Sequence, residues 1–199
     1  MKKSIIMLIF FLIGIIFGMK SLLGKFIGKV DISLYALYVL LFLVGIGIGG
    51  DNRIWKIVKN VNIKIFLVPL SVIIGTLLFV GPLSFFIPGI SLRDSLAIVS
   101  GFGYYSLSSV LITQLRNETL GVIALLSNIT REIVTLLLTP LMVKYFGKLA
   151  PIASGGATSM DTTLPIITKF TGKEYAMISV FNGIILTLIV PFLITLILR

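Results

Sequence analysis

"LAPIASGGATSMDTTLPIITKF", residues 149–170, begins and ends as apolar helix and is interrupted in its middle. Gly155 and Gly156 accept backbone conformations that other residues resist. Pro165 has no amide proton for a helical ladder and biases Leu164 away from helix. Between them lie Thr158, Ser159, Asp161, Thr162 and Thr163, four hydroxyls and a carboxylate. A water-facing turn of a soluble protein would carry the same residues, so the surroundings decide the reading.

Those surroundings are apolar. The 199 residues are 57% hydrophobic and 12% charged, with a mean hydropathy of +1.15, whereas soluble domains carry about a quarter charged residues. Apolar stretches on the scale of the about 20 residues that cross a bilayer run over 4–19, 32–50, 62–87, 93–115, 119–146 and 174–198, with a weaker one at 149–168. The first follows Lys2 and Lys3 as a signal peptide would, but no small-x-small cleavage site follows Met19, so it is read as a helix. The expectation is an all-α polytopic membrane protein with about 6–7 transmembrane helices, forming a single transmembrane domain over 1–199.

The segment has a counterpart. "LAIVSGFGYYSLSSVLITQL", residues 96–115, also opens with Leu-Ala, reaches Ser-Gly, passes Gly101 and Gly103, and resumes apolar. Segments 93–115 and 149–168 are therefore expected to be interrupted or re-entrant helices related by an internal repeat. Paired breaks of this kind mark the substrate site in secondary transporters. Irregular backbone at membrane depth is tolerated only where it is buried in protein or lines a wet cavity.

Charge narrows the function. A net +10 could suggest nucleic acid, but the 17 basic residues sit mostly in short segments between apolar runs, as juxtamembrane Lys and Arg do. No nucleic-acid partner is expected; membrane lipid is. Arg53, Lys56, Lys59 and Lys64 make the 53–64 loop the cytoplasmic candidate, with Lys20, Lys25 and Lys29 nearly as basic on the opposite side. The chain has no Cys and no His, which removes thiolate and imidazole metal sites and the usual general base. No metal site and no catalytic residues are expected. "GIGIGGDNR", 45–53, is not the Gly-x-Gly-Asp of intramembrane aspartyl proteases, since Ile48 stands in the way. Such a protease, or a structural subunit of a membrane complex, remains the alternative to a transporter.

Asp31, Asp51, Asp94, Glu118 and Glu174 lie near span ends, where water or headgroups solvate them. Asp161 and Glu132 do not. Glu132 follows Arg131 inside "ALLSNITREIVTLLLTP", 124–140, where a charge costs about 2.5–3.5 kcal/mol on insertion scales. Neighbours on a helix point about 100° apart, so the two do not neutralise each other fully; Asn128, four residues earlier, shares a face with Glu132. They form either a polar cluster tying helices together or part of a substrate or ion path. Asp161 supplies the charge to hold an ammonium group, beside Thr158, Ser159 and Thr162. Tyr104 and Tyr105, next to Ser106, offer aromatic faces to a cation or belong to an interfacial belt.

"SGFGYYSLSSVLIT", "SNITREIV", "GGATSMDTTLPII" and the "FNGIILTLIVPFLI" helix together resemble the C-terminal part of the LysO-type lysine exporters, and the resemblance covers nearly the whole chain. It implies export of L-lysine and analogues such as thialysine across the cytoplasmic membrane, a relation to transporters with crossed, discontinuous helices, and dependence on Asp161. Full-length members carry further N-terminal helices with another aspartate. The resemblance therefore implies a homodimer or a small membrane subunit supplying them. On this reading the lysine ammonium pairs with Asp161, Glu132 lies in the same cavity, and Tyr104 and Tyr105 wall it. The α-carboxylate meets backbone N–H groups at a break, or Arg131. Exporting a cation against an inside-negative potential costs about 2.3 kcal/mol per 100 mV, which exchange for H⁺ or Na⁺ offsets; no other cofactor is expected.

Overall fold

A computed structural model of the chain describes residues 63–199 continuously, together with Tyr35, Tyr38, Val39, Phe42, Leu43, Ile46 and Gly50, which are helical. The expected spans at 4–19 and, apart from those residues, 32–50 lie outside the described residues. The elements from Leu67 onward all belong to one compact unit, Ala36–Arg199. Among the described residues there are no strands, only α-helices and short 3-10 turns: α1 (Leu67–Ser84), α2 (Leu92–Val99), α3 (Tyr105–Leu115), α4 (Glu118–Phe146), α5 (Ala150–Gly155), α6 (Leu164–Thr171) and α7 (Ala176–Leu198).

Three of these are long and apolar enough to cross a membrane: α1, α4, and α7 with the 3-10 turn Lys173–Tyr175 that leads into it. They correspond to the expected spans 62–87, 119–146 and 174–198. Local chemistry fixes their ends. Asn117 caps α4 by accepting from the Leu120 N–H at 2.9 Å, Glu118 sits in its first turn and Lys144 in its last, each the favourable sign for the helix dipole. Ser91 caps α2 in the same way, accepting from Asp94 N–H at 3.1 Å.

The two interrupted segments fold back on themselves. Asp94, in the first turn of α2, pairs with Arg116 at the end of α3, with Oδ1 and Nε 3.2 Å apart. A continuous helix would separate these positions by about 33 Å, so α2 and α3 form a hairpin. Its tip turns at Phe102 (φ 45°) and Gly103 (φ 94°), consecutive left-handed residues that reverse the chain. Lys148 and Glu174, on either side of α5 and α6, approach to 3.4 Å, where a continuous helix would hold them about 39 Å apart. The second segment is therefore also a hairpin, and Ile152 of α5 packs with Ile167 of α6. Both segments are helix–break–helix hairpins, the re-entrant form of the two alternatives expected for 93–115 and 149–168. The Gly and Pro signals mark where a helix stops, while two long-range ion pairs report where the chain goes next.

The hairpins enter from opposite ends of the bundle. The mouth of the first adjoins the start of α4 and the mouth of the second adjoins its end. The first half of α7 binds the second hairpin through Ser179 and Asn182. Its second half supplies Leu186, Val190, Ile194 and Leu198 to a core shared with Ala97, Ile98, Leu107, Leu111 and Ile112 of the first. A hairpin followed by a long helix thus occurs twice, in opposite orientations. Apolar burial drives little association in lipid, so close approach matters more. Gly121 of α4 lets α3 come near: a Cβ there would lie 2.9 Å from the Ser109 carbonyl oxygen.

Candidate functional site

The two tips touch. Ala157 N–H in the second donates to the Phe102 carbonyl in the first at 2.8 Å, and a Cβ on Gly103 would stand 3.0 Å from the Gly155 carbonyl oxygen. Around this contact lie Asn128 and Arg131, near the middle of α4.

Asn128 is fully buried and fully used. Its Oδ1 accepts from Gly103 N–H at 2.7 Å, and its Nδ2 donates to Ile98 O at 3.1 Å and to Ala124 O at 2.9 Å. It straps both arms of the first hairpin to α4, and no hydrogen bond joins it to Glu132, the partner its i,i+4 spacing suggested. A backbone break leaves donors and acceptors that must be met in a dry interior, and their claim on the amide prevails.

Arg131 is taken by the second hairpin. Nε–H donates to Ser154 O at 2.8 Å and Nη2–H to Ala153 O at 2.9 Å. These are carbonyls in the last turn of α5, the negative end of the helix dipole. The guanidinium carbon lies 5.9 Å from the centre of the Phe102 ring. Beside it Thr135 Oγ1 and Ser154 Oγ share a hydrogen bond of 2.6 Å. Glu132 is half-buried and has no hydrogen bond or ion pair among the described residues.

Thr158 and Ser159 face inward. Thr158 Oγ1 donates to Gly155 O at 2.9 Å, and Ser159 Oγ contacts Gly156 O at 2.7 Å and Ser179 O at 2.8 Å. Asp161 and Thr162 are exposed, and the Asp161 carboxylate accepts from Thr162 N–H at 2.6 Å, its one hydrogen bond among the described residues. Tyr104 and Tyr105 are half-buried and Ser106 is exposed. The structure thus gathers Asn128, Arg131, Gly103, Gly155, Gly156 and Thr158 at the tip contact, with Gly101 packed against Asn128 and Ser108. Pro165, expected to break the helix, instead starts one: it occupies the first turn of α6, where its missing N–H would be unpaired in any case.

Asn182 was not singled out by the sequence reading. It is fully buried, and its Nδ2 reaches Gly156 O and Ser159 Oγ at 3.1 Å each and Ile152 O at 3.3 Å. Asn182 follows Gly156 by 26 positions, as Asn128 follows Gly103 by 25. The repeat itself was the signal that could have found it.

Gly156 has φ +61°, and a Cβ there would meet the carbonyl group of Phe102, whose carbon would be 3.0 Å away. Gly156→Ala is expected to push the tips apart and cost about 1–3 kcal/mol, read as a lower thermal unfolding midpoint of the purified protein.

A family model described as lysine exporter LysO matches residues 8–198. A putative lysine exporter of Haemophilus influenzae is 40% identical over 113 residues, 57% of this chain and 57% of that protein. The lysine exporter LysO of Escherichia coli is 34% identical over 123 residues, 62% of this chain and 41% of that protein. The chain spans about half the length of the relatives it matches. No solved structure matches it.

Proposed function

Because this multi-pass membrane chain belongs to the lysine exporter LysO family, we propose that it exports L-lysine, and analogues such as thialysine, from the cytoplasm across the cell membrane. The observation that carries this is Asp161: an exposed carboxylate at the tip of a hairpin, whose one hydrogen bond among the described residues comes from the Thr162 N–H. Such a group is free to take an ammonium ion. Tyr104 gives that ion an aromatic and hydroxyl-bearing neighbour. Glu132 is the second acid of the site, a carboxylate within a spanning helix that has no partner among the described residues. Residues of this kind mark transport pathways by default.

Asp161 binds either the substrate ammonium or the coupling ion, H⁺ or Na⁺, so one residue exchanges the two. Alternating access comes from movement of the hairpins against the α1, α4 and α7 helices. The end of the bundle that holds Lys144, Lys148, Lys169 and Lys173 faces the cytoplasm. The opposite end has Arg93 and Arg116 offset by Asp94 and Glu118. On this reading a second copy of the chain or a small membrane subunit takes part in the transporter.

Two assays test this. Vesicles containing the purified chain are expected to exchange internal lysine for labelled external lysine faster than protein-free vesicles, and an inward H⁺ or Na⁺ gradient is expected to drive net lysine efflux. Cells without their own lysine exporter should gain thialysine resistance on expressing it. Failure in both assays, with and without a candidate small subunit, rules the reading out.

A further inference from the structure

The Arg131 guanidinium has two edges. The Nε and Nη2 edge is occupied by the Ser154 and Ala153 carbonyls. The other edge, Nη1 with the second Nη2 proton, makes no hydrogen bond among the described residues, and no acidic side chain there forms an ion pair with Arg131. An end-on guanidinium edge is a fork whose spacing matches the two oxygens of a carboxylate. At mid-membrane an unneutralised cation strongly favours an anionic partner.

The competing donors are largely spent. The N–H groups of Gly101, Phe102, Tyr104 and Tyr105 bond within the first tip, that of Gly103 bonds to Asn128, and that of Ala157 bonds across to the first tip. The 3-10 turn Gly156–Met160 leads from the Arg131 side of the second tip to Asp161. Five residues of 3-10 helix rise about 10 Å, the scale of an extended lysine from carboxylate to side-chain ammonium.

We propose that the free edge of Arg131 is the subsite for the substrate's α-carboxylate, so that the site selects an amino acid over a plain diamine. This rests on the lysine-export reading above. Arg131 then does two things at once: one edge holds α5 in place and the other reads the substrate. The ammonium groups of lysine fall to Asp161 and Glu132, and its carboxylate to Arg131.

The test is competition against labelled lysine in the vesicle exchange assay, with unlabelled lysine, lysinamide and 1,5-diaminopentane as competitors. Lysinamide keeps both ammonium groups and the shape but has no carboxylate. Wild-type protein is expected to prefer lysine over lysinamide and over the diamine by about tenfold or more, the scale of a charge-assisted hydrogen-bonded pair. In Arg131→Lys, a point charge in place of a fork, that preference is expected to shrink severalfold. Equal competition by the three ligands in the wild type overturns the proposal while lysine exchange stands. So does an Arg131→Lys variant in which all three weaken by the same factor, the result expected of a merely structural arginine. Should that variant not fold, the wild-type comparison decides alone. Absence of any lysine exchange sinks the transport reading, and this inference with it.

Discussion

Asp161→Asn is expected to reduce lysine exchange by at least about 30-fold while leaving thermal stability within about 0.5 kcal/mol of the wild type. The two halves of that expectation have separate causes. The carboxylate is exposed and accepts a single hydrogen bond, from Thr162 N–H at 2.6 Å. An asparagine carbonyl oxygen occupies the same place and accepts the same proton, and exposed substitutions without other partners change stability little. Transport differs because the charge is the functional part. Removing one member of a charge pair with a ligand typically costs 2–5 kcal/mol, or about 30-fold to several thousandfold in affinity. Asp161→Glu keeps the charge on a longer arm and is expected to retain part of the activity. Exchange by Asp161→Asn at the wild-type rate would remove Asp161 from the site. A melt lowered by several degrees would instead show that the carboxylate holds the hairpin together.

The breaks were legible in the sequence because their causes are local. Gly101, Gly103, Gly155 and Gly156 stand at or beside the points where the helices end, and their conformational freedom can be recognised without knowing any neighbour. The path of the chain beyond a break depends on distant residues. Asp94 and Glu174 had an adequate explanation as solvated span ends, so nothing in the sequence pointed to Arg116 and Lys148 as their partners. With those pairs hidden, crossed helices and hairpins were equally compatible with the glycine pattern. Arg131 was similarly open: a charge inside an apolar run announces that it must be met, but not that backbone carbonyls of α5 meet it. The pairing expected of Asn128 with Glu132 used the only neighbours that helix periodicity supplies. Once the chain folds back, the unpaired N–H of Gly103 becomes the more demanding partner.

That demand makes the two strap asparagines unequal, and Asn128→Leu is expected to be the more damaging of two formally equivalent substitutions. Leucine shares asparagine's branched skeleton, so both changes remove the amide's hydrogen bonds while adding a similar increment of volume, and the difference between them reports the hydrogen bonds. At Asn128 it leaves the Gly103 N–H buried without an acceptor, which costs about 1–3 kcal/mol. It also withdraws the donor to Ile98 O on the other arm, for a total of about 2–4 kcal/mol. At Asn182 no N–H is orphaned. Ile152 O keeps the Gly156 N–H, Gly156 O keeps Ser159 Oγ, and Ser159 Oγ keeps its own carbonyl contacts. The Asn182 Oδ1, moreover, is buried with no partner, and leucine removes that unpaired atom along with the donor. Asn182→Leu is therefore expected to cost about 1–3 kcal/mol less than Asn128→Leu. Unfolding of the wild type and both variants, measured in the same lipid or detergent, compares them directly. A larger loss at Asn182 than at Asn128 would mean that the second hairpin, not the first, depends on its asparagine. It would also mean that the Asn182 Oδ1 has a partner in the membrane.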